Sequence, residues 1–366
     1  MKMENGSPAK PHYEILDGLR GIAAIMVLGF HVLEAYATSC FDQLLNHAYL
    51  AVDFFFVLSG FVIGYAYDDR WGGMSIGNFL KRRVFRLHPM VVFGTLLGVA
   101  LFYFGASSMF PLIREMPLWK VMLCAVAGIL LIPTPPSIDI RGWQEMYTLD
   151  GPVWTLAFEY FANVLYALFI KNFSRTALGV LVSVSAGATL YLTLTQGDVI
   201  GGWTLDAHHM HVGFTRLMYP FFAGLLLYRV GRLIRMRHAF FRCSLLLVAV
   251  LVVPRIGGPE SLWMNGLYEA AVIIAVFPLI VAAGAGGTLK SRFASRLCKL
   301  LGNISYPVYL INYPLCYVHT SWVSDTKVTL AEAGWIPPAV FVATLLLSYA
   351  AMRWYDIPVR KWLRRK

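Results

Sequence analysis

Four ionisable side chains lie within one apolar stretch near the start of the chain, Leu16 to Glu34, which reads LDGLRGIAAIMVLGFHVLE. Arg20 and His31 are eleven residues apart, which at about 100° per residue places them within roughly 20° of each other around a helix. They are about 16 Å apart along the axis, half of a hydrocarbon core about 30 Å thick. Asp17 and Glu34 fall within about 60° of the same face. The spacing predicts a polar stripe that runs from the membrane edge towards its middle.

Such a stripe is costly in lipid. An ionised side chain at the centre of a membrane helix costs roughly 2.5–3.5 kcal/mol on insertion scales, so these groups are expected to face a protein cavity. Because a neutral imidazole accepts a proton near pH 7, His31 is a candidate general base. Taken alone, Arg20 could be an ordinary charge beside a helix and His31 could bond to a neighbouring helix. The four groups on one face favour a functional site.

The composition indicates a membrane protein. Of 366 residues, 58% are apolar and 14% are charged, whereas a soluble domain carries nearer a quarter charged residues. The net charge of +11 comes from short basic clusters between apolar runs, as the positive-inside rule expects, so no nucleic-acid partner is predicted. The five cysteines form neither a CxxC pair nor a metal-ligand spacing.

The apolar runs predict an all-α, polytopic membrane protein with short loops. The strongly basic loops share one side only if one run fails to cross, and the segment 118–133, followed by the proline-broken IPTPP, is the expected exception and a candidate re-entrant segment. We therefore predict ten crossings, a cytoplasmic tail at 1–15, a transmembrane domain at 16–355 and a basic cytoplasmic tail at 356–366. The eleven apolar runs are roughly 16–37, 49–67, 89–109, 118–133, 152–170, 177–195, 213–230, 240–254, 262–285, 303–322 and 335–354.

A second stretch whose side chains could take part in chemistry is DFFFVLSGFVIG, residues 53–64, followed by KRRVFRLHP, residues 81–89. Arg82 and Arg86 share a helix face and Arg83 borders it. Guanidiniums grouped at a cytoplasmic membrane edge suit a polyphosphate ligand, which they can hold through paired hydrogen bonds. The competing interpretation is topological, since any cytoplasmic helix flank collects arginines.

A carboxylate lies within the apolar helix predicted over VWTLAFEYF, residues 153–161. A buried Glu159 must be paired or protonated. We interpret it as a partner of Arg20 or His31, or alternatively as a structural link between helices.

The stretch GNISYPVYLINYP, residues 302–314, is predicted to begin a helix. Asn303 or Ser305 would cap it, with Pro307 in the first turn. Polar residues spaced by three would then line one face. These residues are Tyr306, Tyr309 and Asn312.

Three histidines occur close together in DAHHMH, residues 206–211. Two imidazoles three residues apart, His208 and His211, could bind a metal, but no matching carboxylate or cysteine set lies nearby. We therefore expect His208, His209 and His211 to lie in an exposed polar loop and predict no metal site.

Together and in this order, six stretches resemble the acyltransferase 3 family of integral-membrane acyltransferases, across residues 16–363. The most specific piece is the Arg-x10-His spacing of Arg20 and His31, supported by the arginine cluster and by the Trp-x4-Glu of Trp154 and Glu159. The six stretches are LDGLRGIAAIMVLGFHV, DFFFVLSGFVIG, RRVFRLHP, WTLAFE, SYPVYLINYP and YDIPVRKWL.

The sequence departs from the family pattern at three positions. The family often has His where this chain has Asn312, Ser where it has Thr155, and Glu where it has Asp356. The Thr and Asp changes keep the chemistry. Asn312 has no titratable group, which excludes proton transfer there but leaves a hydrogen bond to substrate open.

The resemblance implies transfer of an acyl group, most often acetyl, from acyl-CoA as co-substrate to a hydroxyl of a carbohydrate or related acceptor, with no permanently bound cofactor. Arginines 82, 83 and 86 would meet the donor phosphates from the cytoplasm, and the pantetheine arm would thread inward along the Arg20–His31 face. His31 would deprotonate the acceptor hydroxyl or, in a second version, take the acyl group itself.

Arg20 and Glu159 would position groups and stabilise charge beside His31, with Asp17 orienting Arg20. The further residues with a predicted supporting role are Asp17, Glu34, Asp53, Ser59, Trp154, Ser305, Tyr306, Tyr309 and Asn312.

The alternative function is a polytopic transporter of a small anionic or sugar-like solute. That class also carries intramembrane ionisable residues, but it predicts inverted repeats with helices broken in matching halves, and the sequence has neither. A scaffold protein would explain the helices but not the polar stripe. The expected location is a bacterial cytoplasmic membrane with both termini inside, and the sequence leaves the acceptor and the oligomeric state open.

Overall fold

The computed structural model describes residues 12–365, so the predictions for residues 1–11 and 366 lie outside the described residues. Within that range the chain is helical and has no β-strand, only an isolated bridge between Glu145 and Thr204, which confirms the all-α prediction. The helices are α1 (Glu14–Glu34), α2 (Ala51–Tyr67), α3 (Ile76–Leu101), α4 (Leu118–Ile129), α5 (Val153–Leu168), α6 (Arg175–Gln196), α7 (Ala207–Val230), α8 (Ala239–Val252), α9 (Trp263–Ala271), α10 (Phe277–Gly286), α11 (Arg292–Thr326), α12 (Ile336–Ala351) and α13 (Ile357–Leu363). The π-helical turns are Val272–Val276 and Met352–Asp356, and the 3₁₀ turns are Ala48–Leu50, Phe102–Gly105, Pro111–Glu115, Pro136–Ile138, Ile170–Asn172 and Pro259–Ser261.

By length and composition, 6 helices of the described chain can cross a membrane, which indicates an integral membrane protein. The α4 helix has 12 residues, so it is only about 18 Å long, well short of a hydrocarbon core of about 30 Å. Two further apolar helices, α5 and α8, are also shorter than a typical span. The 6 long helical stretches are Glu14–Glu34, Ala48–Tyr67, Ile76–Gly105, Arg175–Gln196, Trp263–Gly286 and Ile336–Leu363.

The α11 helix begins earlier than the sequence predicts. The Ser291 hydroxyl caps it by accepting from the Ala294 amide at 3.4 Å, so Asn303 and Ser305 lie inside the helix and the prediction that one of them caps a new helix is wrong. Pro307 is likewise internal. At 35 residues α11 is about 52 Å long, so its basic first turns can extend beyond the hydrocarbon core. Those charges made the first turns look like a loop.

The histidine stretch also differs from its prediction. The α7 helix begins at Ala207, and the Asp206 carboxylate caps it by accepting from the His209 amide at 2.8 Å. His208 and His211 are exposed, but they lie in the first turns of this helix, so the prediction of a loop is wrong. An aspartate cap placed before a polar first turn is a helix start that hydropathy alone does not detect.

The α1 and α11 helices run side by side in the same direction. Asp17 lies against Gly302 near their first turns, and His31 lies against Tyr313 further along. The backbones approach closely at Gly21, where a Cβ atom would lie 2.5 Å from the Leu301 carbonyl oxygen. Any side chain there would push the two helices apart, so this glycine keeps the polar residues of α1 facing α11.

The last apolar helix continues further than the predicted transmembrane domain. The α12 helix, the π-helical turn and α13 form one helical stretch, Ile336–Leu363. The first residues of the predicted tail at 356–366 therefore continue this helix. A π-helical turn holds more residues than an α-helical turn and changes the direction in which the following side chains point.

Candidate active site

A cavity of about 400 Å³ lies among α1, α2, α3, α5, α11 and α13. It collects polar residues from positions more than 280 residues apart in the chain, because α1 and α11 are neighbours. Its apolar lining includes Val52, Phe55 and Phe56 from α2. The predicted site residues that line it are Asp17, Arg20, Ser59, Arg83, Arg86, Glu159, Ser305, Tyr306 and Tyr309.

Arg20 is fixed in this cavity by three partners. Its Nε donates to the Ser305 hydroxyl at 2.9 Å, and its Nη2 donates to the Gly302 carbonyl at 2.8 Å. The Asp17 carboxylate lies 3.2 Å from the same nitrogen. The pairing agrees with the expectation that Asp17 orients Arg20. Most of the guanidinium's bonding capacity is thus used within the protein.

Glu159 joins three helices. Its Oε1 accepts from the Ser59 hydroxyl of α2 at 2.7 Å and also from Nη2 of Arg83 on α3. Glu159 therefore pairs with neither Arg20 nor His31, and its partners support the alternative of a structural link between helices. The Arg83 side chain is 4% exposed, so removal of the carboxylate would leave a buried charge without compensation.

Arg86 is an unpaired cation of the cavity. Its guanidinium lies near Arg83 and Arg20, and it has no hydrogen-bond or ion-pair partner among residues 12–365. Arg82 is exposed and does not line the cavity, so the arrangement brings together Arg83 and Arg86 but not Arg82. An unpaired guanidinium in a cavity is suited to an anionic ligand.

Two aromatic residues of α11, Tyr306 and Tyr309, line the cavity. The Tyr309 hydroxyl lies 2.9 Å from Thr155 Oγ1, and its ring packs against Phe55 with centroids 5.5 Å apart. The Tyr306 hydroxyl donates to the Leu87 carbonyl at 2.6 Å. Both tyrosines are therefore held by neighbouring helices. One turn beyond Tyr309 on the same helix lies Tyr313.

His31 does not line the cavity. Its Nδ1 lies 2.9 Å from the Glu34 carboxylate, and its ring packs edge-on against Tyr313 with centroids 4.7 Å apart. The His31 side chain is 18% exposed and that of Glu34 is 51% exposed. The predicted stripe is thus divided into a cavity pair, Asp17 and Arg20, and an outer pair, His31 and Glu34. Tyr309 lies on α11 between the contact of this helix with Arg20 and its contact with His31, beside the predicted threading path along the Arg20–His31 face.

A buried polar cluster that the sequence analysis missed lies next to the outer pair. Tyr313 packs against Tyr317 at 4.6 Å, the Tyr317 hydroxyl donates to Glu145, and the Arg141 guanidinium lies 3.5 Å above the Tyr317 ring. Burial raises the pKa of Glu145 to about 7. Arg141 and Glu145 lie between α4 and α5, where no helical periodicity marks them. The available signal in the sequence was the four charged residues of this segment, Asp139, Arg141, Glu145 and Asp150.

Asp53 and Trp154 lie in the packed interior between helices. Asp53 is buried and pairs with Arg216 at 2.8 Å, while Nη2 of Arg216 also donates to the Tyr49 carbonyl at 2.9 Å. Trp154 is buried and lies 5.5 Å from the Arg216 guanidinium. Both residues belong to the packing between α2, α5 and α7 and lie outside the cavity lining.

Asn312 faces neither the cavity nor His31. Its side chain is fully buried, and its amide nitrogen donates to the carbonyls of Val308 at 2.8 Å and Tyr309 at 2.7 Å on its own helix. The spacing by three therefore brings Tyr306 and Tyr309 to the cavity but leaves Asn312 outside it.

The chain is similar to known acyltransferases over most of its length. The acyltransferase 3 family, described as an acyltransferase domain, matches residues 13–353. The O-acetyltransferase OatA of Staphylococcus aureus is 24% identical over 374 residues, which cover 94% of this chain. A putative O-acetyltransferase of the COL strain of that species is 23% identical over 380 residues, also 94% of this chain. This chain spans 57% of the length of each of these two relatives.

A relative from a second organism matches about half of the chain. The protein described as protein 2 in the picA locus of Rhizobium radiobacter is 32% identical over 179 residues, which cover 47% of this chain and 90% of that protein. No solved structure matches the chain significantly.

Proposed function

The chain belongs to the acyltransferase 3 family, and from this premise we propose that it is a membrane-embedded O-acyltransferase that moves an acyl group, in the simplest case acetyl, from acyl-CoA to a hydroxyl of a carbohydrate or related acceptor. The observation that carries the proposal is that α1 contributes Arg20 to the cationic cavity and, further along, carries the His31–Glu34 pair, with α11 packed against both residues. The names of the two staphylococcal relatives support the choice of a hydroxyl acceptor.

The cavity is the proposed donor site. Acyl-CoA carries phosphates, and Arg86 is free to form charge-assisted hydrogen bonds with them. Arg83 and Arg20 lie near Arg86, so the site keeps a positive potential even though each of them has a carboxylate partner. The apolar residues Val52, Phe55 and Phe56 give the pantetheine arm a lining that excludes water from the thioester.

The outer pair is the proposed chemical centre. The Glu34 carboxylate beside Nδ1 of His31 favours a proton on Nδ1, which leaves Nε2 as the base. Nε2 takes the proton of the acceptor hydroxyl as the oxygen attacks the thioester carbonyl. The carbon–sulfur bond then breaks, and the thiolate takes that proton from the imidazolium. In the second version, Nε2 attacks the thioester carbonyl and the CoA thiolate leaves as the carbon–sulfur bond breaks. The acceptor oxygen then attacks the acyl-imidazolium, the bond between Nε2 and the acyl carbon breaks, and the hydroxyl proton passes to the thiolate.

The donor must pass Tyr309 and Phe55 before this reaction. We propose that these two rings, which line the cavity and pack against each other, separate it from the His31 side, where Tyr313 contacts His31. Displacement of the Tyr309 ring would connect the two regions. We propose that the thioester end of the donor displaces this ring, so that the path opens only when the donor fills the cavity.

We further propose ten crossings with both termini on the cytoplasmic side of a bacterial membrane. The proposal is supported by the short α4 helix, whose omission puts the strongly basic loops on one side. Reporter fusions at residue 205, before α7, should be external, and fusions at residue 236, after α7, should be internal. The same side for both fusions would contradict this topology.

The function is tested with purified full-length protein in detergent or liposomes. Labelled acetyl-CoA is supplied with candidate glycans or with simple sugars, and acetyl ester and free CoA are measured. Wild-type protein should form both products, and a His31→Ala variant should form neither. The glycans of a deletion strain, compared with those of its parent, identify the acceptor through missing acetyl groups. Failure of the purified protein to use acetyl-CoA with the glycan identified in this way would overturn the proposal.

A further inference from the structure

The C-terminal helix contributes cations to the rim of the cavity. Arg360 and Arg364, one turn apart and both within or next to α13, line it together with Lys299 of α11. Lys299 and Arg364 are exposed, whereas Arg83 is buried. We call Lys299, Arg360 and Arg364 the rim group, and Arg20, Arg83 and Arg86 the deep group.

Arg360 is positioned by a buried carboxylate. Asp356 is fully buried at the end of the π-helical turn, and its Oδ2 accepts from Nη2 of Arg360 one turn later. The Arg360 side chain remains 24% exposed, so the guanidinium is held at the edge of the cavity with part of its surface open. An arginine that is fixed in this way has lost its rotamer freedom before any ligand arrives, which favours binding.

The cavity lining has more positive than negative charge. It carries the six cations of the two groups and only two carboxylates, those of Asp17 and Glu159, and both carboxylates pair with the deep group. Among residues 12–365, the side chains of Lys299 and Arg364 have no hydrogen-bond or ion-pair partner. Unpaired positive charge therefore occurs both deep in the cavity, at Arg86, and at its rim.

The size of the cavity places part of the donor outside it. At about 400 Å³ it lies near the lower end of the range of about 300–1,000 Å³ that holds drug-sized ligands. A whole nucleotide thioester is larger than a drug-sized ligand, so part of the donor should extend beyond such a cavity. The nucleotide of the donor must then lie at the mouth, against the rim group.

Resting on the proposed function, we propose that the rim group binds a second phosphate of the donor, the 3′-phosphate on the nucleotide ribose, while the deep group binds the diphosphate. The rim group would make this enzyme select a nucleotide thioester that carries the 3′-phosphate over one that lacks it. Arg360 and Arg364 are then specificity-determining residues, and Asp356 is a positioning residue that acts through Arg360.

The test compares acetyl-CoA with acetyl-3′-dephospho-CoA as donors for the purified full chain. Wild-type kcat/KM should favour acetyl-CoA by about 10- to 100-fold, the range for one or two charge-assisted hydrogen bonds. Arg360→Ala and Arg364→Ala should each reduce that preference mainly by lowering kcat/KM for acetyl-CoA, with little change for the dephospho donor. Arg365→Ala, an exposed residue next to Arg364 that lies outside the cavity lining, is the matched control and should keep the wild-type preference.

Two results would overturn the inference. Equal use of the two donors by the wild type would show that no residue reads the 3′-phosphate, while acyl transfer itself would stand. If the arginine variants lose kcat/KM equally with both donors, the rim group contributes only to the general charge or the folding of the protein. If the wild type transfers from neither donor, calorimetric binding of CoA and 3′-dephospho-CoA gives the same comparison without turnover, so failure of the proposed function is distinguishable.

The role of Asp356 is tested separately. Asp356→Asn keeps the shape of the side chain but removes the charge that holds Arg360. The variant should lose part of the preference for acetyl-CoA and retain wild-type kcat/KM with the dephospho donor. A full preference in Asp356→Asn would contradict the positioning role.

Discussion

The two charged pairs of α1 differ in how their charges are satisfied. Asp17 and Arg20 face the cavity, and Arg20 has partners on α11 as well as its neighbouring carboxylate. The side chains of His31 and Glu34, further along the same helix, bond to each other, and Glu34 is half exposed. A charge whose bonds are mostly made within the protein can shape a binding surface, whereas a histidine with one free nitrogen can exchange protons. The comparison assigns binding to the cavity and chemistry to the outer pair.

The largest expected effect comes from the outer pair. His31→Ala should lower kcat by about 10²- to 10⁴-fold, the usual contribution of a general base, while the protein accumulates normally in the membrane. The measurement is labelled acetyl transfer at matched protein concentration. His211→Ala, an exposed histidine on α7, is the control and should behave like the wild type. Normal turnover by a stable His31→Ala protein would remove the chemical role from the outer pair.

Removal of one carboxylate from each region should destabilise the protein to different degrees. Glu159→Ala leaves Arg83 buried and unpaired, which should cost about 3–5 kcal/mol. Glu34→Ala removes a half-exposed carboxylate, and the cost should be below about 1 kcal/mol. Thermal unfolding in detergent should show a lower midpoint for the first variant and an almost unchanged midpoint for the second. Similar midpoints in both variants would contradict the difference in bonding.

A smaller effect, on the donor KM, is expected for a change at Arg86 but not for the same change at its exposed neighbour Arg82. Arg86→Lys keeps the charge but loses the planar fork, so the donor KM should rise by the equivalent of about 1–3 kcal/mol, with the acceptor KM unchanged. Arg82→Lys should have no effect, because Arg82 does not line the cavity. Arg232→Lys and Arg235→Lys, in another basic loop, are further controls. If Arg86→Lys has the donor KM of the wild type, the arginines serve only as topology signals.

The smallest predicted effect concerns pH and the cluster beside the outer pair. The pKa of Glu145 is about 7 in the folded protein, above its value of about 4.3 in an unfolded chain. A raised carboxyl pKa means that this contribution to stability is complete below about pH 4.3 and is lost as the pH rises through about 7. Glu145→Gln should remove that loss, about 1 kcal/mol or more, so its thermal midpoint should fall less than that of the wild type between pH 5 and 8. Thermal midpoints that fall equally with pH in Glu145→Gln and in the wild type would contradict the raised pKa of Glu145.

The helical periodicity of the sequence predicted which residues lie on one face of α1. Arg20 and His31 do lie along the side of α1 that packs on α11, because their spacing alone fixes that side. The sequence could not show that Tyr309 and Phe55 pack against each other, since that contact depends on how α2 packs against α11.

Adjacent residues and irregular segments were harder to predict. Which of Arg82 and Arg83 turns inward depends on the rotation of α3, which the packing of neighbouring helices determines. Glu145 lies in a segment without helical periodicity, so no pattern could connect it with His31. Arg360 was taken as part of a tail because charges near a chain end look like a membrane flank.

Direct binding of CoA to purified wild-type, His31→Ala and Arg86→Ala proteins tests the separation of the two regions most directly. The account predicts that His31→Ala binds CoA with wild-type affinity although it transfers nothing, and that Arg86→Ala binds at least about 10-fold more weakly. Loss of CoA binding in a folded His31→Ala protein, or wild-type binding by Arg86→Ala, would contradict the assignment of binding to the cavity and chemistry to the outer pair.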